Sequence, residues 1–342
     1  MMNKKIGIHL LTAFPPSNPN RDETGQPKTA YVGGKLRQRI SSQCIKRAWR
    51  ISDVFQSLEA NFSTRTREIG KQAFDRMVAA GMKEELAKKN AEAIATAFGK
   101  IEAGKLRNKE MVVVGHEELA AVEALCDVLI SEDRAMTEAE AKALPRETRS
   151  IDVALFGRMR ASRPEVNVDA SVAVSHPLTV GVSKIEDDLW TSVDDLQPAE
   201  DIGSGGMGNV EFGSGTYYTY VEVNVGTLLR SLHGDVAQAK QAVAALVKAA
   251  ATVTPGGFKN SFGNAVRASF VRVEVGEPSG NLMMNAFEKP ADGTGKAIEA
   301  LQTAAIAQAT GFALDQVAKE FIPGKMDVSL ADLMALAESA VA

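Results

Sequence analysis

Residues 216–225 read Thr-Tyr-Tyr-Thr-Tyr-Val-Glu-Val-Asn-Val, a run in which all but Glu222 and Asn224 are β-branched or aromatic. Such residues fit a pleated, half-buried surface, so this is the clearest strand in the chain. Working outward, an Ala-rich helix is expected at Val236–Val253, then a Pro255-Gly256-Gly257 turn and a strand at Val266–Val275. On the N-terminal side, Ile6-Gly7-Ile8-His9-Leu10-Leu11 reads as a short buried strand. A Pro-, Asn- and Gly-rich loop from Pro15 to about Gly34 leads to Ser41-Ser42, which offers N-cap hydroxyls to a helix running to about Phe55. β-like segments at Asp152–Phe156 and Ala170–Val180 complete the set. The order strand, helix, strand, strand, helix, strand predicts an α+β protein with an RRM-like (ferredoxin-like) core. That fold alone names no function.

Between them, residues 68–144 are mostly helix formers, with helices expected over Lys71–Ala80, Lys83–Lys100 and Glu117–Ile130, a helical insertion. Glu186–Gly215 holds six glycines and little periodicity, which suits a long mobile hairpin. Helices are expected to close the chain over Lys296–Ala309 and Ser329–Val341, and no repeat of fixed period is present. The expected divisions are 1–56, 57–150 (helical insertion), 151–183, 184–213 (hairpin) and 214–342.

The composition, 45% apolar and 24% charged, is that of a soluble globular protein. No apolar run approaches the roughly 18 residues of a membrane span, and no secretory cleavage site follows the N-terminus, so a cytoplasmic location is expected. Cys44 and Cys126 lie far apart, which argues against a disulfide framework or a Cys-based zinc site.

Net charge is −4, yet from Thr24 to Arg50 there are seven basic residues (Lys28, Lys35, Arg37, Arg39, Lys46, Arg47, Arg50) and no acidic one. An acidic body with one concentrated basic tract can hold a polyanion in one groove and repel it elsewhere. The first turn after Ser41-Ser42 presents unsatisfied N–H groups and the positive end of the helix dipole, a place for a phosphate. The Ser hydroxyls and the Gln43 amide add neutral donors, and Lys46 and Arg50 continue the line one and two turns on. None of these groups needs to read a base edge, so the tract suits a strand of variable sequence. The ordinary alternative is a solvated helix face with a Ser cap. Trp49, at helical spacing from Ile45, reads as core.

Arg39-Ile40-Ser41-Ser42-Gln43, followed by Lys46-Arg47-Ala48, resembles the signature of the CasC-type backbone subunit of the type I-E CRISPR Cascade complex, in the RAMP superfamily. Further blocks fit in order: Asn20-Arg21-Asp22, Gly33-Gly34-Lys35, Asp152 with Ala154-Leu155-Phe156-Gly157-Arg158-Met159, and Val168-Asp169-Ala170 through Ser175-His176. Val193–Gln197, Glu211-Phe212, Ser214-Gly215, Tyr218, Tyr220, Pro255-Gly256 and Asn285–Lys289 extend the match. The resemblance implies an RRM-like palm with a helical fingers insertion and a thumb hairpin. Several copies would line up along one CRISPR RNA, and a neighbour's thumb would displace a base at intervals, leaving the rest to pair with target DNA. Mapped by motif, RNA contacts fall on Arg21, Lys28, Ser41, Gln43, Lys46 and Arg50, with Lys35 and Arg47. Leu196, Met207 and Phe212 are candidate thumb wedges, with Asp194, Asp195 and Leu196 near the thumb base. Other Cascade subunits and a separate recruited nuclease are the implied partners. No cofactor, metal or catalytic residue is expected.

The alternative is a metal-dependent endoribonuclease using Asp22, beside Glu23 in the loop after the first strand, with Mg²⁺ held by carboxylates and phosphate. The ordinary reading of Asp22 is a turn cap or a partner of Arg21. His9, His116, His176 and His233 show no metal-ligand spacing. Gly33-Gly34-Lys35 lacks the Walker spacing, and the glycines of 203–208 open no helix.

Overall fold

The computed structural model describes residues 4–58, 62–144, 147–160, 164–196, 203–277 and 281–341. Two compact units emerge: Met1–Leu58, Val172–Val225 and Val243–Ala342 form the first, and Glu59–Ser171 with Gly226–Ala242 form the second.

The first unit contains strands β1 (Lys5–Ser17), β2 (Thr29–Val32), β3 (Lys35–Gln38), β6 (Val172–Val174), β7 (Leu178–Thr179), β8 (Glu186–Ser192), β9 (Gly206–Asn224), β10 (Phe270–Glu277) and β11 (Asp315–Phe321). Its helices are α1 (Ser42–Arg50), α2 (Asp53–Gln56), α10 (Lys259–Phe262), α11 (Thr294–Gly311) and α12 (Leu330–Ser339). The main sheet runs β11-β10-β1-β9-β6, with every neighbour antiparallel and β7 and β8 paired further along β9. Central β1 is buried on both faces, which is why its sequence is a continuous apolar run rather than an alternation. One face, carrying Leu11, Tyr218, Tyr220 and Phe270, packs on Ala297, Leu301 and Ala305 of α11 and on Phe287. On the other, Leu10, Thr12 and Phe14 share a small cavity with Ile45 and Trp49 of α1 and with Ala250 and Val253. His9, buried in the first face, lies 2.8 Å from the Tyr218 hydroxyl and 3.2 Å from Glu274.

Several expectations are corrected. The predicted loop at 15–34 contains the end of β1 and all of β2, which pairs with β3 around Gly33 and Gly34, both at positive φ, as a two-residue hairpin turn requires. The helix expected to reach Phe55 stops at Arg50 and restarts as α2 at Asp53; between them Ser52 is extended, and its hydroxyl donates back to Trp49 O (2.7 Å). The hairpin expected over 186–215 is present as β8 paired with the N-terminal half of β9, and it lengthens the strand read at 216–225 into one of 19 residues. Gly208 faces Trp190 across that ribbon, and a Cβ there would lie 2.6 Å from the indole. Edge strand β11, with exposed and half-buried positions alternating, was not anticipated.

The second unit holds α3 (Ile69–Ala79), α4 (Glu84–Phe98), α5 (His116–Glu132), α6 (Glu138–Ala143) and α7 (Ile151–Phe156), with β4 (Thr64–Thr66) paired to β5 (Val112–Val114). Helix α8 (Val225–Ser231) and the start of α9 (Val236–Thr252) fall within it as well. Ile69, Met77, Ile94, Phe98, Val114 and Leu129 are among its core residues. Asp152–Phe156, expected as strand, is helix α7. Buried Asp152 accepts from Ser63 N–H (2.8 Å) and hydroxyl (2.6 Å), and Gly157, at φ 78, ends the helix. The apolar run Val153–Phe156, four residues, fits either state, and these tertiary bonds decide it.

The Glu118 carboxylate is buried between Arg158 (2.9 Å) and Arg160 (3.0 Å) and accepts from Gly115 N–H (2.8 Å). Removing one partner of a buried ion network leaves uncompensated charge. Glu118→Ala is therefore expected to lower the unfolding free energy of this unit by about 3–5 kcal/mol, read by urea denaturation.

Candidate nucleic-acid interface

Helix α1 is fixed from beneath. Ile45 and Trp49 are buried, Trp49 at 2% exposure, and the Trp49 indole N–H donates to Val253 O (3.3 Å). Trp49 is thus core, as its spacing indicated. The opposite face of α1 carries exposed Gln43 and Arg47, with Lys46 and Arg50 half-buried.

At the start of α1 the Ser41 Oγ accepts from Cys44 N–H (3.3 Å), and Asn20 Oδ1 accepts from Ser41 N–H (2.9 Å). Ser42 is buried, with its hydroxyl turned to Gln43 Oε1 (3.4 Å). The Ser41 hydroxyl therefore serves the helix cap and the Ser42 hydroxyl is turned to Gln43, which leaves backbone N–H groups and the exposed Gln43 amide as donors at this end. Among the described residues, the N–H groups of Ser42 and Gln43 have no hydrogen-bond partner. No acidic residue stands in the first turn, so nothing neutralises the dipole there.

The cations are sorted by the fold. Arg37 is driven inward, where its guanidinium donates to Thr179 O (3.3 Å), Val180 O (2.5 Å) and Phe287 O (2.8 Å). Burial lowers its pKa from the usual arginine value, and its role is to hold β3 against β7 and residue 287. Outward, Arg39 donates to Nδ1 of exposed His176 (2.7 Å). The His176 pKa is lowered by burial and then by Arg39, Lys28 and Lys46. Burial raises the pKa of the nearby Cys44, while Lys28 and Arg47 oppose the rise. Lys28, Arg39, Lys46 and Arg47 thus crowd one patch around His176 and Cys44. Arg50 extends the patch about 10 Å along the helix from Gln43 at 1.5 Å per residue. Lys35 is exposed in the β2–β3 hairpin next to its turn, about 13 Å along the strand from Arg39, and the structure does not gather it with the others.

Arg21 is exposed, with its guanidinium 4.4 Å from the centre of the Phe258 ring, rather than paired with Asp22. The Asp22 carboxylate accepts from Thr24 N–H (2.8 Å), Thr24 Oγ–H (2.7 Å) and Gln26 N–H (3.0 Å), closing a turn. Those bonds, the Thr24 hydroxyl first, hold its pKa below the ordinary carboxylate value. Among the described residues no group of three or more His, Cys, Asp or Glu could hold a metal ion.

The three wedge candidates divide. Leu196 (92% exposed) and Met207 (68% exposed) lie at the free end of the β8–β9 ribbon. Asp194, Asp195 and Leu196 follow the end of β8, so they sit at its tip rather than its base. Part of the tip, 197–202, lies outside the described residues. Phe212 instead packs at the root against Phe262, with ring centres 5.7 Å apart. Arg39, His176, Asn20 and Phe258 did not stand among the RNA contacts expected from the motif. Arg39 had a signal in the basic tract, and Asn20 and His176 stand in the blocks that carry the resemblance, whereas Phe258 had none.

A family model described as CT1975-like protein matches residues 6–339. The chain belongs to the CT1975-like family. Among solved structures, a chain of a "CRISPR RNA-guided surveillance complex, pre-nicking" is similar, with 26% identity, TM-score 0.88, and coverage of 98% of this chain and 100% of that one. A second, from a "CRISPR RNA-guided surveillance complex", shares the fold at 24% identity and TM-score 0.74, covering 98% and 99%. No curated protein matches. Among the described residues, no helix is long and apolar enough to cross a membrane.

Because the folded-state pKa of Asp22 is depressed, its turn-closing contribution is present above the unfolded carboxylate pKa of about 3.9 and is lost as pH falls through the lower folded value. Amide exchange at Thr24 and Gln26, corrected for intrinsic rates, is expected to accelerate as pH drops below about 4. In Asp22→Ala it should be fast at every pH, while exchange across β1 stays unchanged.

Proposed function

We propose that this chain is a non-catalytic CRISPR RNA-binding subunit of a Cascade-type surveillance complex, and specifically the type I-E backbone subunit that repeats along the guide. The observation that carries the reading is the likeness, over nearly the whole chain, to a chain of an RNA-guided surveillance complex. It is supported by a basic patch at a helix start free of acids. The strand order β10-β1-β9-β6, counted along the chain as 4-1-3-2, supports an RRM-like palm. The second unit would then be the fingers and the β8–β9 ribbon the thumb.

In this reading a phosphate sits at the Ser42 and Gln43 N–H groups, where backbone donors and the dipole favour an anion. Lys28, Arg39, Lys46 and Arg47 neutralise its neighbours, and Arg50 and Arg21 extend the track in two directions. Contacts of this kind fix register and carry no sequence information, as a guide with a variable spacer requires. Leu196 and Met207 at the ribbon tip are the wedge candidates. Copies side by side, the other Cascade subunits, a target DNA strand and a separately recruited nuclease are the partners of this reading. In this reading Asp22 is a turn residue rather than a catalytic one, its Oδ1 accepting from three donors of the same loop.

RNA copurifying with the chain from its native cells is expected to be repeat-flanked spacers. The slope of log affinity against log salt should be steep in the parent. It should shallow by about 0.7 for each phosphate that Lys46→Ala or Arg50→Ala leaves without its cation. Unchanged RNA content when both are replaced would remove the groove described here. RNA cleavage with Mg²⁺ that disappears in Asp22→Ala would overturn the non-catalytic reading.

A further inference from the structure

Arg21 carries its guanidinium over an aromatic ring, 4.4 Å from the centre of Phe258. The ring is costly to place there. Phe258 has φ 50, in the left-handed region that a bulky residue rarely adopts, and strain of this kind persists only where surrounding structure over-determines it. The surroundings do so. Gly257 lies so close to Pro19 that a Cβ would come within 2.5 Å of its carbonyl oxygen. Asn264 Nδ2 donates to Gly257 O (3.2 Å). The Phe258 ring meets Phe262 edge-on at 5.8 Å, and Phe262 meets Phe212 at 5.7 Å. The segment bearing Arg21 is tied to the same strand: Asn18 Nδ2 donates to Glu211 O (2.8 Å) and Gln26 Nε2 to Glu211 Oε1 (2.8 Å). A row of three rings therefore runs from the ribbon root to an otherwise solvent-borne cation.

Resting on the RNA-binding reading above, we propose that Phe258 is a positioning residue that holds the Arg21 guanidinium, planar and pre-ordered, for a phosphate of the bound strand. An exposed arginine loses side-chain freedom when it takes a phosphate, and a ring that has already ordered it lowers that loss. A guanidinium that lies over a ring can still offer its forked edge donors for bidentate contact. The role is separable from packing because it acts only through Arg21.

The test is a double-mutant cycle on the full chain, with single-stranded RNA titrated at fixed salt and thermal melting followed in parallel. Phe258→Leu is expected to weaken RNA binding about three- to five-fold, and Phe258→Tyr, which keeps the ring, to leave it within two-fold. In an Arg21→Ala background Phe258→Leu should have no further effect. Arg21→Lys, which keeps the charge and loses the plane, should cost a similar factor and be non-additive with Phe258→Leu. The proposal is overturned if Phe258→Leu binds as tightly as the parent, or if its effect persists undiminished in Arg21→Ala. A parent chain that binds no RNA, or binds it without salt dependence, would instead sink the RNA-binding reading.

Discussion

The pairing of β1 with β9 is the constraint from which the rest hangs. Lys5 to Phe14 register continuously against Asn224 to Gly215, and β1 is at the same time paired to β10 over Lys5–Leu11. A strand flanked on both sides and covered on both faces cannot slip without turning its apolar set over. β9, however, is longer than its partner needs. Where β1 ends, the register shifts between Phe14 and Ser17, and β9 carries on with β8 as its partner. The same backbone thus supplies a sheet centre at one end and a projecting ribbon at the other. The junction is marked by Gly213, where a Cβ would occupy the space of the Gln38 amide.

That junction also fixes the basic patch. Gln38 donates its backbone N–H to Thr179 Oγ (3.1 Å) and Ser183 Oγ (2.5 Å), and its side chain accepts from the Tyr217 hydroxyl. Next to it, Arg37 is withdrawn from water onto three carbonyls. A buried guanidinium is tolerable only with such partners, so β3 has one position open to it. Arg39 and α1 follow within four residues and inherit that position. One cation of the tract is given up to the interior so that the others are presented outward.

Much of this was legible in the sequence. The strands at Ile6–Leu11 and 216–225, the Ala-rich helix, the two closing helices and the core role of Trp49 all announce themselves through periodicity and residue type. The basic tract and the helix start after Ser41 were equally visible. What was not legible depends on partners far away in the chain. Asp152 needs Ser63 to make α7 a helix, Arg37 needs Thr179, Val180 and Phe287 to turn inward, and His176 meets Arg39 across 137 positions. A hairpin over 186–215 was legible, but its register, 206–212 on 186–192, was not, because glycines spell loop locally. Here they make room, as Gly208 does for Trp190.

The ribbon has a consequence in time. All seven residues of β8 are exposed, and among the described residues no third strand lies beside the pair over 186–192. A lone two-stranded hairpin is marginal in water, so its order is borrowed from the root, where Phe212 meets Phe262. The root, packed on the sheet it continues, is expected to open as slowly as that sheet, and the exposed strand ends on the faster scale of loops. One strand therefore carries a gradient of lifetimes along its length. Whatever Leu196 and Met207 touch is sampled many times before anything at the sheet has moved once.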